Sequence, residues 1–170
     1  MPRDDGPHVP SKAVYFFVVP GFADWEAAHA LAEVDPADVA LFVLPGGDRW
    51  EQQPLERELV DALSTLDARR VPIAAICAAT TAIARAGLLR GRRHTSNGLE
   101  YLKRQVPTYT EAANYVDTPA VRDGGLITAT GLADVEFARE IMTELAVLAA
   151  DDRAYWAKLF RGGRLPAGGA

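Results

Sequence analysis

The sequence is poor in the residues that carry most protein chemistry. Its 170 residues hold one cysteine, three histidines and two methionines. A single thiol excludes an internal disulfide framework and any zinc site built from several cysteines. The histidines, His8, His29 and His94, stand far apart, and no ligand set falls at metal-binding spacing, so no metal is expected. No apolar run approaches the roughly 20 residues of a membrane span. The opening Met1-Pro2-Arg3-Asp4-Asp5-Gly6-Pro7 lacks the basic-then-apolar order of a signal peptide, which predicts a cytoplasmic protein without membrane contact. Positive charge is not in excess: 18 Lys and Arg face 23 Asp and Glu, a net charge of −5. That balance argues against nucleic acid as a partner. The one basic cluster, Arg90 with Arg92 and Arg93, reads as a solvated helix end. Walker and dinucleotide-binding fingerprints are absent too, so no cofactor is expected.

What is present is ordinary for a globular domain, with 49% hydrophobic and 24% charged residues. The polar, Pro- and Gly-rich start predicts a flexible tail over 1–11, one domain over 12–161 and a second tail over 162–170. Ala13 to Val19 and Val39 to Leu44 read as strands buried on both faces. A helix is expected from Ala23 to Glu33, and another opens at Pro54, using Leu55, Leu59, Leu63 and Leu66. Gly98 to Gln105 reads as a short helix. Ala120 to Arg122, Asp123-Gly124 and Leu126 to Thr130 form a hairpin signal. Leu132 to Ala149 reads as one long amphipathic helix, followed by a last helix over Asp151 to Phe160. Buried strands alternating with helices predict an α/β fold with a largely parallel sheet covered on both faces, its ligand site beyond the carboxyl ends of the strands.

Three strand ends meet there: Pro20-Gly21 leading to Glu26, Leu44 leading to Gly46-Gly47, and Val71-Pro72-Ile73-Ala74-Ala75-Ile76 leading to Cys77. The last stretch is strand, sharp turn and Ala/Thr-rich helix with the only thiol on the turn, the logic of a nucleophile elbow. A helix beginning at Ala78 sets unpaired N–H groups beside sulfur and favours thiolate over thiol. The plainer alternative is that Cys77 packs as a small hydrophobe, as buried cysteines do.

With those stretches in view, the chain resembles the DJ-1/PfpI superfamily of class I glutamine amidotransferase-like folds. The resemblance rests on Pro20-Gly21-Phe22-Ala23-Asp24-Trp25-Glu26, Leu44-Pro45-Gly46-Gly47, Ala75-Ile76-Cys77-Ala78-Ala79, Gly87-Leu88-Leu89-Arg90-Gly91-Arg92, and the run from Asp123 to Gly131, all in family order. It implies a flavodoxin-like three-layer sandwich. It also implies an elbow nucleophile at Cys77, an acid at Glu26 contacting the sulfur, and an oxyanion pocket from the Gly46, Gly47 and Ala78 amides. Glu26 would then hold its proton and share it with the sulfur; read alone, it is an ordinary first-turn helix acid. Arg49 and Trp50 either edge the pocket or are solvated and packed, respectively.

That Arg49-Trp50 edge is one departure from the family pattern, and there are two more. Protease-like members carry histidine directly after the cysteine, where this chain has Ala78, so a Cys–His dyad of that kind is missing and peptidase activity is disfavoured. His94 and His29 are the candidates to assist, or they are structural. The resemblance also implies a further strand and hairpin between the first helix and the Pro-Gly-Gly strand, for which Glu33 to Asp38 leaves no room. The expectation is a Cys77-dependent enzyme acting on a small carbonyl or amide substrate, of hydrolase, amidotransferase-like or glyoxalase/deglycase-like type. A redox sensor or chaperone-like dimer is the alternative, with a homodimer expected in either case.

Overall fold

The computed structural model of the protein describes residues 13–16 and 36–162. The expected first helix with Glu26 and His29, the tail with His8, and residues 163–170 lie outside the described residues. Among the described residues five strands form one sheet: β1 (Ala13–Phe16), β2 (Val39–Leu44), β3 (Ile73–Ile76), β4 (Ala120–Asp123) and β5 (Leu126–Ala129), in the order β1-β2-β3-β5-β4. All neighbours run parallel except β4 and β5, which form the expected hairpin. Asp123 pairs with Leu126, so the turn is Gly124-Gly125, and both residues have positive φ, 56° and 78°. The positive φ expected from the Asp-Gly pair therefore falls one residue later, on two glycines that adopt it without a Cβ penalty.

Helices cover both faces. They are α1 (Arg49–Gln52), α2 (Arg57–Ala68), α3 (Ala79–Arg85), α4 (Leu99–Gln105), α5 (Asp134–Glu144) and α6 (Ala150–Gly162). Alternation along β2 divides the core. Phe42 and Leu44 share one cluster with Leu59, Leu63 and Leu66 of α2, Ile83 of α3 and Leu102 of α4. Leu41 and Val43 face the other way, with Ala74, Ile127 and Phe137 of α5. This is the three-layer α/β arrangement predicted.

Several boundaries differ from expectation, each for a local reason. The described part of the first strand stops at Phe16, and it is not buried on both faces: among the described residues β1 lies at the edge of the sheet, and Val14 is 41% exposed. The helix expected from Pro54 begins at Arg57, after Leu55 has packed against the core from the loop. The long helix expected to Ala149 stops at Glu144, because Ala146 and Leu148 take positive φ of 53° and 62°, which no continuing helix allows. Among the described residues no helix is long and apolar enough to cross a membrane.

One buried segment is polar. His94, Thr95 and Ser96 are fully buried between α3 and α4 in sequence, and they make only an isolated bridge, His94 to Tyr115. Each finds partners. His94 Nδ1 lies 2.7 Å from the Arg92 carbonyl, which only accepts, so Nδ1 carries the hydrogen and Nε2 accepts from the Tyr109 hydroxyl at 2.6 Å. Burial pushes the Tyr109 phenol up to about 12, aided by Glu111 and Tyr115, so it keeps the proton it donates. Burial also lowers the His94 pKa, against the opposing pull of the Arg92 carbonyl and Glu111.

A lowered imidazole pKa means that the unfolded chain takes the proton first. His94 therefore supports the fold fully above its unfolded value of about 6.5, and that support is lost as pH falls from there towards the folded value. We expect the melting temperature to drop in this window, and His94→Phe to flatten that part of the profile. The effect separates from that of Glu111, whose carboxyl is held below its ordinary value of 4.5 mainly by the Gly91 amide and acts only at lower pH. Calorimetry of both proteins between pH 4 and 8 checks this.

Candidate functional site

The parallel register sets three strand ends side by side. Leu44 pairs with Ala75 and Ile76 pairs with Ala129, so the residues that follow, Pro45-Gly46, Cys77 and Thr130-Gly131, emerge at one edge. Cys77 turns there with φ 61°, a left-handed conformation that costs a residue with a side chain about 1–2 kcal/mol. Hydrogen bonds hold it. Its N–H donates to the Ala129 carbonyl at 3.0 Å, which extends the β3–β5 ladder by one residue. Its carbonyl accepts from the Thr80 N–H at 3.2 Å and the Thr80 hydroxyl at 2.7 Å. With the Thr80 proton so used, Ser96 is the donor in the 2.6 Å contact between the two hydroxyls, and that contact ties the elbow to the buried polar segment.

Sulfur lies between two glycines. A Cβ on Gly46 would stand 2.8 Å from Cys77 Cβ and 3.4 Å from Sγ, and one on Gly131 would stand 2.8 Å from Sγ. Any larger residue at either position would push the thiol out of place. Cys77 itself is half-buried. Gly46 and Gly47 are exposed on the loop beside it, and Ala78 is buried at the start of α3.

Among the described residues, the side chain that reaches sulfur is Asn97, whose Nδ2 donates to Sγ at 3.4 Å. Its Oδ1 accepts from the Gly131 N–H at 2.9 Å, which fixes which way the amide faces. The buried run His94-Thr95-Ser96 anchors the segment that presents it. Thr95 bonds Thr128 and Thr118, and His94 exchanges backbone hydrogen bonds with Asn114 and Val116. Beyond Asn97 lies Tyr101 on α4, whose hydroxyl donates to Glu51 of α1 at 2.6 Å. Burial, then the bond to Glu51, raises the Tyr101 pKa far above the ordinary phenol value.

The structure thus sets Gly46 against Cys77, with Gly47 the next residue along that loop and Ala78 the next after the cysteine. It places Trp50 in the core, 4% exposed, with its indole N–H on the Pro45 carbonyl and its own carbonyl accepting from Thr81 and Arg85. Arg49 is ion-paired with Glu56. Trp50 therefore ties α1 back to the loop at Pro45, and the Arg49 pair joins α1 to the residue before α2. His94 has both ring nitrogens occupied by Tyr109 and Arg92. Gly131 closes a run that carried the resemblance but was given no role there, and Asn97 and Tyr101 were not singled out, because an uncharged amide and a helix tyrosine carry no motif of their own. The polar run Thr95-Ser96-Asn97 after a buried helix was the available signal. No cluster of three or more His, Cys, Asp or Glu suited to a metal occurs among the described residues.

The two glycines give a direct test. Gly131→Ala and Gly46→Ala should each lower stability by about 1–3 kcal/mol through overpacking and slow alkylation of Cys77 severalfold. Thermal melts and iodoacetamide kinetics measure both effects.

A model of the DJ-1/PfpI family matches residues 19–144. An uncharacterized protease of Bacillus subtilis (strain 168), YoaZ, is 42% identical over 122 residues, which are 70% of this chain and 56% of that protein. A deglycase of Pyrococcus abyssi is 31% identical over 99 residues, 58% of this chain and 57% of that protein. The chain spans about half the length of the curated relatives it matches. The crystal structure of a DJ-1 superfamily protein from Agrobacterium tumefaciens superposes with a TM-score of 0.70 at 34% identity, covering 78% of this chain and 70% of that one. By its fold, its elbow and these matches, the chain belongs to the DJ-1/PfpI family.

Proposed function

We propose that the protein is a cysteine-dependent enzyme acting on a small carbonyl or amide substrate. The observation that carries this reading is Sγ held on a strained turn between two glycines, within reach of the Asn97 amide. A residue with a side chain persists in that conformation only where the surroundings impose it, and such strain clusters at working sites.

In the proposed reaction Cys77 Sγ attacks the carbonyl carbon, and the C=O π pair moves onto oxygen. The Gly46, Gly47 and Ala78 amides face the developing oxyanion, where fixed donors are worth most. With an amide, collapse expels the amine with a proton and leaves a thioester on Cys77, which water hydrolyses to the acid and the free thiol. With a dicarbonyl, the adduct takes a proton to give a hemithioacetal. Its C–H proton moves to the neighbouring carbonyl carbon to give a thioester, and water releases the hydroxy acid and the thiol. Glu26, through the family resemblance, is the group proposed to carry the proton. Asn97 steadies the sulfur by donation in place of a histidine.

Relatives named as a protease and a deglycase support hydrolase-type chemistry in the family without choosing the substrate. Small substrates fit better than peptides here. Residue 78 is alanine, and His94 already has partners at both nitrogens, so among the described residues no imidazole is placed to protonate a leaving peptide amine.

The test is turnover of small dicarbonyls and primary amides by the native protein and by Cys77→Ala. We expect Cys77→Ala to fall to background while its melting temperature holds or rises. A native protein that turns over none of these, yet takes up peroxide oxygen at Cys77 stoichiometrically by mass, would transfer the site to the redox-sensor reading. Turnover retained in Cys77→Ala would remove the thiol from both.

A further inference from the structure

Helix α6 packs chiefly on α5, and the two leave a groove of about 510 Å³ between them, a size usual for small-molecule sites. Small residues keep it open: Ala154 and Ala157 stand on its α6 wall, where larger side chains would fill the space. Four cations line it, Arg139 from α5 and Arg153, Lys158 and Arg161 from α6, and no acidic side chain among the described residues does. The chain as a whole carries a net charge of −5, so positive charge is gathered here against the overall sign. Nothing in the chemistry proposed at Cys77 uses it.

The three guanidinium groups are held in place from behind. Arg139 pairs with Glu140 at 3.0 Å and Arg161 pairs with Glu136, and both carboxylates are mostly buried, 19% and 13% exposed. Neither glutamate lines the groove. Arg153 donates to the Val147 and Leu148 carbonyls of the linker before α6, at 3.1 and 2.6 Å. A guanidinium has five N–H donors, so each of the three keeps N–H groups to offer after these bonds. Lys158 is exposed and has no hydrogen bond or ion pair among the described residues. Asp151 and Asp152 stand at the start of the same helix, outside the lining.

Fixed guanidinium groups around a concave surface bind a multiply charged anion at little ordering cost, and their planar fork suits phosphate and carboxylate alike. We propose that the α5–α6 groove is a binding site for a small polyanion carrying more than one phosphate or carboxylate group. Arg139, Arg153 and Arg161 are its restrained donors, and Lys158 supplies the charge left without a partner. The groove shares no residue with the elbow, so the proposal does not rest on the reading of Cys77.

The experiment is titration calorimetry of the full chain with inorganic pyrophosphate and with citrate, in native protein, Lys158→Glu, Ala154→Leu and Lys103→Glu. We expect native protein to bind one anion per chain saturably, with a rise in melting temperature. Loss of one charged partner costs about tenfold in affinity, and reversal of its sign costs more, so Lys158→Glu should bind at least about tenfold more weakly. Ala154→Leu keeps every charge and fills the groove, so it should weaken binding too. Lys103→Glu makes the same change in net charge on α4, which packs in the cluster on the other face of the sheet, and should bind as native protein does. Circular dichroism of each variant should stay native. Tighter binding of pyrophosphate marks a phosphate ligand and tighter binding of citrate a carboxylate one, and either supports the site.

Native protein that takes up neither anion saturably would overturn the proposal. Lys158→Glu or Ala154→Leu binding as tightly as native protein would overturn it as well, by placing the anion elsewhere. So would Lys103→Glu weakening binding as much as Lys158→Glu, since overall charge would then account for the effect. None of these results bears on Cys77.

Discussion

The left-handed backbone at Cys77 is held by two opposed sets of hydrogen bonds, and the site depends on both. On the amide side, Ala129 extends the β3–β5 ladder one residue past the strand, so the chain reaches the elbow with its direction fixed. On the carbonyl side, Thr80 turns the helix start back against the elbow with backbone and hydroxyl together. Remove either and the strained conformation relaxes into the ordinary helical or extended region, carrying the sulfur away from Asn97. The two glycines follow from the same constraint: a side chain pointed by a left-handed turn between adjacent strand ends fits only where neighbouring backbone has no Cβ to offer.

A second dependence runs through the buried polar segment. His94, Thr95 and Ser96 would be costly to bury unpaired, and each has a partner in Tyr109, Thr128, Thr118 or Thr80. Their function is mechanical. They fix a short stretch of non-sheet chain so rigidly that the residue after it, exposed Asn97, presents its amide to a defined point. Satisfied polar networks specify a single arrangement in this way, which apolar packing of the same stretch would leave less determined.

Legibility in the sequence followed the strength of local patterns. Strands β2 and β3, the β4–β5 hairpin and the thiol on a turn were readable because apolar runs, turn glycines and a lone cysteine are strong signals. The early end of α5 was not, since Val147 and Leu148 continue the apolar pattern while the backbone at Ala146 and Leu148 turns left-handed. Trp50 and Arg49 could be read either way, because whether a tryptophan lines a pocket or fills a core depends on tertiary neighbours such as Pro45 and Thr81. Asn97 escaped notice for a related reason. Its role comes from the fold bringing β3, β5 and the segment before α4 together, and spacing along the chain carries no trace of that.

The positive φ of Cys77 has a consequence for how this chain can change. Glycine is the residue that adopts such a turn without cost, so the sequence most at ease with this backbone has no thiol in it. Drift toward greater stability and retention of the nucleophile therefore pull in opposite directions at one codon. A relative of this chain that has gained heat resistance at its elbow is one in which the chemistry should be sought elsewhere.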